Sequence, residues 1–489
     1  MLVNALLDTY SRSPRTLAVA DGTRELTYGQ LTVFAAVIRD VVRRETRCER
    51  VGIMLPASAT FPAAFMGTLW LSKVAIPLNF LLGAGALAHI VEDAQLDMIV
   101  TTRHFADLAN QLPARAVFLE DLPLKSRILF RMIRPLPCAP QVQENQTAAI
   151  LYTSGTSAEP KGVELSYRNL HSNCVDVIAT AGIDHRQRFL NTLPPFHVFG
   201  LTANVLVPIV LGAPVYAIPR FSPVAFVKTV AEKRVTVILA IPSMYAAVLR
   251  TKSAKSKSLR SVYLAMSGGE PLPDGVRKGF KERFGVTLRE GYGLTETSPI
   301  VSTCTVASHR DGTVGKPIRN VELRISTSSG GEAPTGEQGE ILVRGPGVMK
   351  GYYRKPQETR QVLDREGWFR TGDVGSVDDA GFLKITGRVK EMLIIGGENV
   401  SPREIESVLE SHPEVVQVGV IGMPDELRGE VPVAFVIPAR GSTVTEQELR
   451  NFAKRSLAGF KVPKRIEIRE DLPKGPTGKL LKRHLRELL

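Results

Sequence analysis

Short apolar runs alternate with longer amphipathic stretches through the first half of the chain. Residues 51–55, 75–78 and 98–101 are runs of four or five mostly apolar positions, the make-up of strands buried on both faces. Residues 61–72, between the first two runs, read as a helix. The theme returns at 235–240 and 262–265. Strands separated by helices predict βαβ units and largely parallel, buried sheets. Two long uncharged stretches, 51–72 and 189–219, are interrupted by Pro56 and Pro62 and by Pro194, Pro195, Pro208, Pro214 and Pro219. They therefore read as buried strand–helix segments and not as membrane spans. Residues 128–136, ILFRMIRPL, read as a connecting helix ended by Pro135 and Pro137; contact with a membrane surface is the alternative.

After about residue 310 the pattern changes to turn signals and short alternating strands, such as 340–343 and 382–385, which predicts a β-rich subdomain. Beyond Gly387 the pattern is that of a small α+β domain. A helix starts at Ser401–Pro402, where serine caps and proline suits the first turn. Residues 415–421 and 431–437 alternate like paired strands. Thr445 opens another helix, with Glu448 completing a capping box.

The chain has 489 residues, 44% hydrophobic and 23% charged, enough for two or more ordinary cores. Its net charge of +13 invites anionic partners. There is no zinc-finger spacing and no tract of basic residues interleaved with aromatics, so nucleic acid is not expected. Phosphorylated substrates or a membrane surface fit better, with a merely solvated basic surface an equal reading. Cys48, Cys138, Cys174 and Cys304 are far apart, with no C-x-x-C pair. That argues against a zinc site or a disulfide framework and fits a reducing cytoplasm, each thiol acting as a small buried hydrophobe. Asp8 inside the first apolar stretch makes a poor signal peptide.

The strongest local signal is TSGTSAEPKG at 153–162. Thr153, Ser154, Thr156 and Ser157 surround Gly155, and Lys161 follows. Glycine lets a backbone approach a phosphate, hydroxyls and amides donate to its oxygens, and lysine adds charge. The spacing is not that of a Walker A loop, and composition alone would equally fit a plain loop. Further segments occur at PPFHVFG (194–200), SGGEPL (267–272), GYGLTETS (291–298), GEILVRGPGVMKGYY (339–353), GWFRTGD (367–373), GRVKEMLIIGGENVSPREIE (387–406) and PKGPTGK (473–479).

These eight segments, in this order, resemble the signatures of the acyl-adenylate-forming (AMP-binding) superfamily, in its acyl-CoA synthetase branch. The resemblance spans nearly the whole chain. It implies an α/β fold with a large N-terminal domain (1–386) of stacked mixed sheets flanked by helices plus a β-rich subdomain. A hinge (387–390) and a small mobile α+β C-terminal domain (391–489) follow. It implies ATP, Mg²⁺ and coenzyme A, with a small carboxylic acid activated as acyl-AMP and then passed to the thiol. The resemblance assigns Thr153, Ser154, Gly155, Thr156, Ser157 and Lys161 to the phosphates. Gly268, Gly269, Glu270, Glu290, Gly291, Tyr292 and Gly293 go to the nucleotide, Tyr292 as a wall for adenine. Thr295 becomes a phosphate contact and Glu296 the magnesium ligand. Asp373 suits the ribose diol, with Arg388 beside it. Lys479 is the catalytic cation between two anions, Lys390 the hinge residue, and Gly396 and Gly397 the wall of the thiol channel.

Two positions bear on substrate and turnover. Ala158 stands where the family's loop has glycine, which puts loop freedom and ATP turnover in question but not nucleotide binding. His197 occupies the position where amino-acid-activating relatives carry aspartate, so an α-amino acid is not expected. The resemblance also places His197 among the catalytic residues, between the acyl pocket and the phosphates; a buried core histidine is the alternative reading. The following run, 201–211, is almost wholly apolar and predicts a pocket for an aliphatic or aryl chain. A medium- or long-chain fatty acid is the expected substrate; an aryl or other acid is the alternative. The thiol could instead belong to acyl carrier protein. Oxidation of the adenylate and a non-catalytic nucleotide-binding relative remain as other classes. The expected setting is cytoplasmic, with peripheral membrane association open.

Overall fold

The computed structural model describes residues 1–153, 160–327, 329–474 and 480–489. The chain forms two compact units. The first comprises Met1–Gly269, Gly279–Glu322 and Val343–Phe369; the second comprises Glu270–Lys278, Leu323–Leu342 and Arg370–Leu489.

The first unit holds two mixed sheets. One has nine strands in the order Lys316–Pro317, Ile300–Thr303, Leu288–Gly293, Leu264–Ser267, Val237–Ala240, Phe189–Asn191, Val215–Ala217, Leu17–Ala20 and Glu25–Thr27. The six from Leu288–Gly293 to Leu17–Ala20 run parallel, with antiparallel strands at both edges. The other has seven strands, in the order Gly351–Tyr352, Lys161–Ser166, Thr147–Thr153, Val74–Pro77, Arg50–Met54, Met98–Thr101 and Arg115–Phe118. The five strands predicted in this unit are present within two residues at each end. The run at 262–265 moves furthest, to Leu264–Ser267, because the amides of Tyr263 and Leu264 both bond to Thr236 and set the register there.

Helix Thr60–Leu69 is buried at every residue from Phe61 on, as expected of a helix apolar all round. It packs on helix Tyr28–Glu45, whose start is fixed by a capping box of Thr27 and Gln30. Inward residues of both sheets, including Val19, Phe189, Val215, Ile53, Val100 and Leu151, join these helices in one core. Tyr28 anchors the second proline-broken stretch, its hydroxyl 2.9 Å from the carbonyls of Pro208 and Ala213. Cys174 and Cys304 are buried as expected, but Cys138 is exposed and Cys48 half-buried; all four are free thiols.

The second unit contains most of a four-stranded sheet (Glu322–Ser326, Gly339–Arg344, Phe369–Val377, Leu383–Arg388) and the whole of a five-stranded one. In the latter, Val415–Asp425 pairs antiparallel with Gly429–Pro438, as the alternation predicts. Ser401 caps helix Pro402–Glu410, and Thr445 caps Glu446–Lys454 through the expected box with Glu448. Among the described residues no helix is long and apolar enough to cross a membrane.

Gly67 is where the two central helices touch. A Cβ there would stand 2.6 Å from the Ala35 carbonyl oxygen and 3.0 Å from the Arg39 amide. Gly67→Ala should destabilise the protein by about 1–3 kcal/mol through overpacking against rigid backbone. The check is a shift of the urea midpoint, with Gly83→Ala, which meets nothing within 4 Å, as the control that stays put.

Candidate active site

The candidate site in the first unit is built on the C-terminal ends of the parallel strands, the usual binding edge of such sheets. Ser267 ends one strand and is in register with Glu290 on the next. Gly268 and Gly269 follow, the second at φ +82°, a left-handed conformation that favours glycine. A Cβ on Gly268 would meet the Phe199 ring at 3.2 Å, so the 194–200 segment and the serine–glycine turn lie against each other. His197 sits in that segment at the start of helix Val198–Leu201 and is exposed, which removes the buried-histidine reading. Its ring centroid is 4.8 Å from that of Phe196.

Glu290, Gly291, Tyr292 and Gly293 follow one another on strand Leu288–Gly293, Tyr292 opposite Ser302. The short turn Thr295–Thr297 then presents Thr295 and Glu296. The Thr297 hydroxyl closes this turn, accepting from the Leu294 amide at 3.0 Å and lying 2.6 Å from the Pro299 carbonyl. Glu296 is tied down twice. Its carbonyl accepts from the Met349 amide at 2.8 Å, and its Oε1 accepts from the Tyr352 hydroxyl at 2.9 Å. Burial, then the charge of Glu296, hold the Tyr352 phenol well above its usual range, so it stays a donor.

Thr153 ends its strand directly opposite Lys161, closing the mouth of the connecting loop. Ser154, Gly155, Thr156 and Ser157, with Ala158, lie outside the described residues. The Lys161 ammonium pairs with Glu358 and stands 5.4 Å from the Tyr352 ring centroid. Lys161 foremost, then Lys355, holds the Glu358 carboxyl below its usual range. Lys161, Tyr352 and Glu296 thus form one chain of contacts. Tyr352 and Glu358 were missed in the sequence; the only signal was the GYY that closes the 339–353 segment.

The run expected to line the acyl pocket contains two buried polar side chains. Thr202 donates to the Ser298 carbonyl at 3.0 Å. Asn204 is 1% exposed, and neither its amide nitrogen nor its oxygen has a partner among the described residues. It lines a small pocket shared with Tyr28, Phe61, Asn191, Pro195 and Val205.

Glu270, Asp373, Arg388, Lys390, Gly396 and Gly397 belong to the second unit. Asp373 and Arg388 are cross-strand partners. The buried Asp373 carboxylate accepts from Arg388 Nε at 2.7 Å, and its amide donates to Thr371 at 3.0 Å. Arg388 and Lys390 are exposed. Gly396 and Gly397 make a tight turn at φ +61° and +86°, with nothing within 4 Å of where a side chain would be. Lys479 lies outside the described residues. Lys474 and Leu480 form a β-bridge. Lys482 Nζ is 2.8 Å from both Glu391 and Glu406. Burial pulls the Lys482 ammonium down, but the two carboxylates outweigh it and hold its pKa above the usual value. This link joins Lys482 to the residue after Lys390.

Two mixed sheets that share one core, in a chain that also carries a C-terminal α+β region, are the architecture of the adenylate-forming enzymes. The chain belongs to the AMP-binding enzyme family: residues 7–353 match the family model for the AMP-binding enzyme and residues 404–479 match that for its C-terminal domain. It is 34% identical over 478 residues to a feruloyl-CoA synthase of an Amycolatopsis species, covering 97% of this chain and 96% of that one. It is 31% identical to a long-chain-fatty-acid–CoA ligase of Bacillus subtilis, covering 99% and 94%. The structure of ATP-bound MatB from Rhodopseudomonas palustris superposes with a TM-score of 0.91 at 28% identity, covering 100% and 99%.

Tyr352→Phe removes the hydroxyl on Glu296 and keeps the ring beside Lys161. A hydrogen bond to a charged group contributes about 1.5 kcal/mol, so half-saturation by ATP and Mg²⁺ should rise roughly tenfold. Titration of pyrophosphate release against each would measure it, and unchanged curves would remove Tyr352 from the site.

Proposed function

We propose that this protein is an AMP-forming acid–CoA ligase whose acid is a medium- or long-chain fatty acid. The reading is supported above all by the chain of contacts from Lys161 through Tyr352 to Glu296 beside the strand ends, in a chain that matches acid–CoA ligases along its whole length. The acid's carboxylate attacks the α-phosphate of ATP, releasing pyrophosphate and forming acyl-AMP; the thiolate of coenzyme A then displaces AMP to give the thioester.

In this proposal Lys161, with the hydroxyls of 153–157, holds the triphosphate. Lys479 offsets the charge that builds up as one anion attacks another. Asp373, oriented by Arg388, receives the ribose hydroxyls, and Tyr292 with the Gly268–Gly269 turn and Glu270 bounds adenine. Glu296 fits magnesium: a carboxylate is the hard oxygen donor that ion takes, and Tyr352 orients it. Bound there, the ion would share its remaining positions with phosphate oxygens and water and neutralise charge on the leaving pyrophosphate. His197 borders the acid. The 387–390 segment serves as hinge, and Gly396–Gly397 admit the pantetheine arm to the thiol channel.

A second acid class is favoured by one observation. Asn204, buried with both amide atoms lacking protein partners among the described residues, suits an oxygen on the substrate better than a bare methylene chain. An oxygenated aryl acid is therefore the alternative, in keeping with the feruloyl-CoA synthase likeness. Acyl carrier protein is the alternative thiol, and a cytoplasmic setting suits either.

Pyrophosphate release with ATP, Mg²⁺ and acids from acetate to palmitate, ferulate and coumarate, with coenzyme A or carrier protein, tests the proposal. Release dependent on the longer fatty acids and accelerated by coenzyme A is expected. Dependence on the aryl acids alone replaces the substrate, and no release from protein that binds ATP replaces the function with nucleotide binding. Lys479→Ala should abolish adenylate formation while sparing thioester formation from supplied acyl-AMP; equal loss in both steps would remove Lys479 from its role.

A further inference from the structure

The segment between Asp121 and Glu144 contains no acidic residue and carries Lys125, Arg127, Arg131 and Arg134. Its helix, Leu124–Met132, rests on helix Tyr28–Glu45. Arg131 turns inward, 14% exposed at its side chain, and pairs with Asp40. Beyond the helix, the Cys138 carbonyl accepts from the Trp70 indole at 2.9 Å, and Leu136 and Ala139 pack on the core. The segment is thus fastened from beneath at both ends.

Its outer face is apolar. Leu129 is 65% exposed, Phe130 48%, Met132 65% and Ile133 77%. Positions 129, 132 and 133 share one face of the helical turn, opposite the inward Arg131. Among the described residues no other stretch exposes four large apolar side chains within five positions. The rim is basic. The Arg134 guanidinium lies 3.9 Å over the Phe130 ring. Arg43 and Arg44, one turn past Asp40 on the supporting helix, are exposed. The nearby acids are engaged: Asp40 with Arg39 and Arg131, Glu45 with Arg115, and Asp121 with Arg103.

We propose that this helix is a docking surface for an anionic phospholipid bilayer, with Leu129, Phe130, Met132 and Ile133 entering the headgroup boundary and the arginines contacting lipid phosphates. The charge selects this occupant. A second copy meeting the same patch about a two-fold axis would bring arginines against arginines, whereas an anionic surface satisfies both the apolar face and its basic rim. A single helix of nine residues gives reversible binding that depends on lipid charge. An acid that partitions into bilayers would be collected there, but the docking itself depends on no particular substrate.

The test is co-sedimentation of the full chain with sucrose-loaded vesicles, either neutral phosphatidylcholine or the same with about 30 mol% phosphatidylglycerol. Binding to the anionic vesicles should be at least about tenfold tighter, and should be lost at about 0.5 M salt. Leu129→Ser with Ile133→Ser should weaken it about tenfold, while the thermal midpoint and pyrophosphate release with a soluble short acid stay unchanged. Arg127→Glu with Arg134→Glu should abolish the preference for anionic lipid. Equal binding to neutral vesicles, full binding by the serine pair, or no binding by the unaltered chain would overturn the proposal. So would a concentration-dependent dimer in sedimentation equilibrium that the serine pair dissolves, which would assign the face to a second copy.

Discussion

Helix Thr60–Leu69 is enclosed along nearly its whole length, and the close approach it makes to helix Tyr28–Glu45 at Gly67 sets the spacing of everything around it. Interiors pack like molecular crystals, so two sheets that share a core with these helices cannot shift independently. Residues of both sheets contribute to that one core.

The polar groups of the candidate site are held by bonds to backbone and to each other. Glu296 is fixed by a main-chain bond to Met349 and a side-chain bond to Tyr352. In the second unit the same logic pairs Asp373 with Arg388 across two strands and Lys482 with Glu391 and Glu406. A carboxylate oriented before its ligand arrives loses less freedom on binding. Glycine does complementary work where backbone must come close, at Gly268 beneath Phe199 and at Gly269 in a left-handed turn.

Asn204 and the helix Leu124–Met132 each break a usual rule of burial. Asn204 is a buried amide with no protein partner among the described residues, set in an otherwise apolar run. The helix Leu124–Met132 is the reverse, an apolar face held outward by an ion pair beneath it. Such breaks are costly unless something outside the chain satisfies them.

The fold class was legible in the sequence. Apolar runs at 51–55, 98–101 and 235–240, with helical stretches between them, are enough for buried parallel strands, because a strand that lacks a polar face has nowhere else to go. The capping residues Ser401 and Thr445 were legible for the same local reason, since a cap is made within one turn of chain. The segments were legible as motifs, and Ser267 and Glu290 lie side by side at the ends of neighbouring strands. Tyr352 on Glu296, Glu358 on Lys161 and Lys482 on Glu391 were not legible. Each joins positions 56, 197 and 91 residues apart, and no local pattern encodes which distant side chain will arrive. Residues 128–136 show the same division. Their composition allowed a connecting helix or a membrane-facing one, and only the tertiary packing, which turned Arg131 inward to Asp40, decided which side chains were left outside. The sequence by itself determined what each segment could become, through periodicity, caps and turns. The tertiary structure alone decided which groups meet, because contact between distant residues is set by the packing of the whole core.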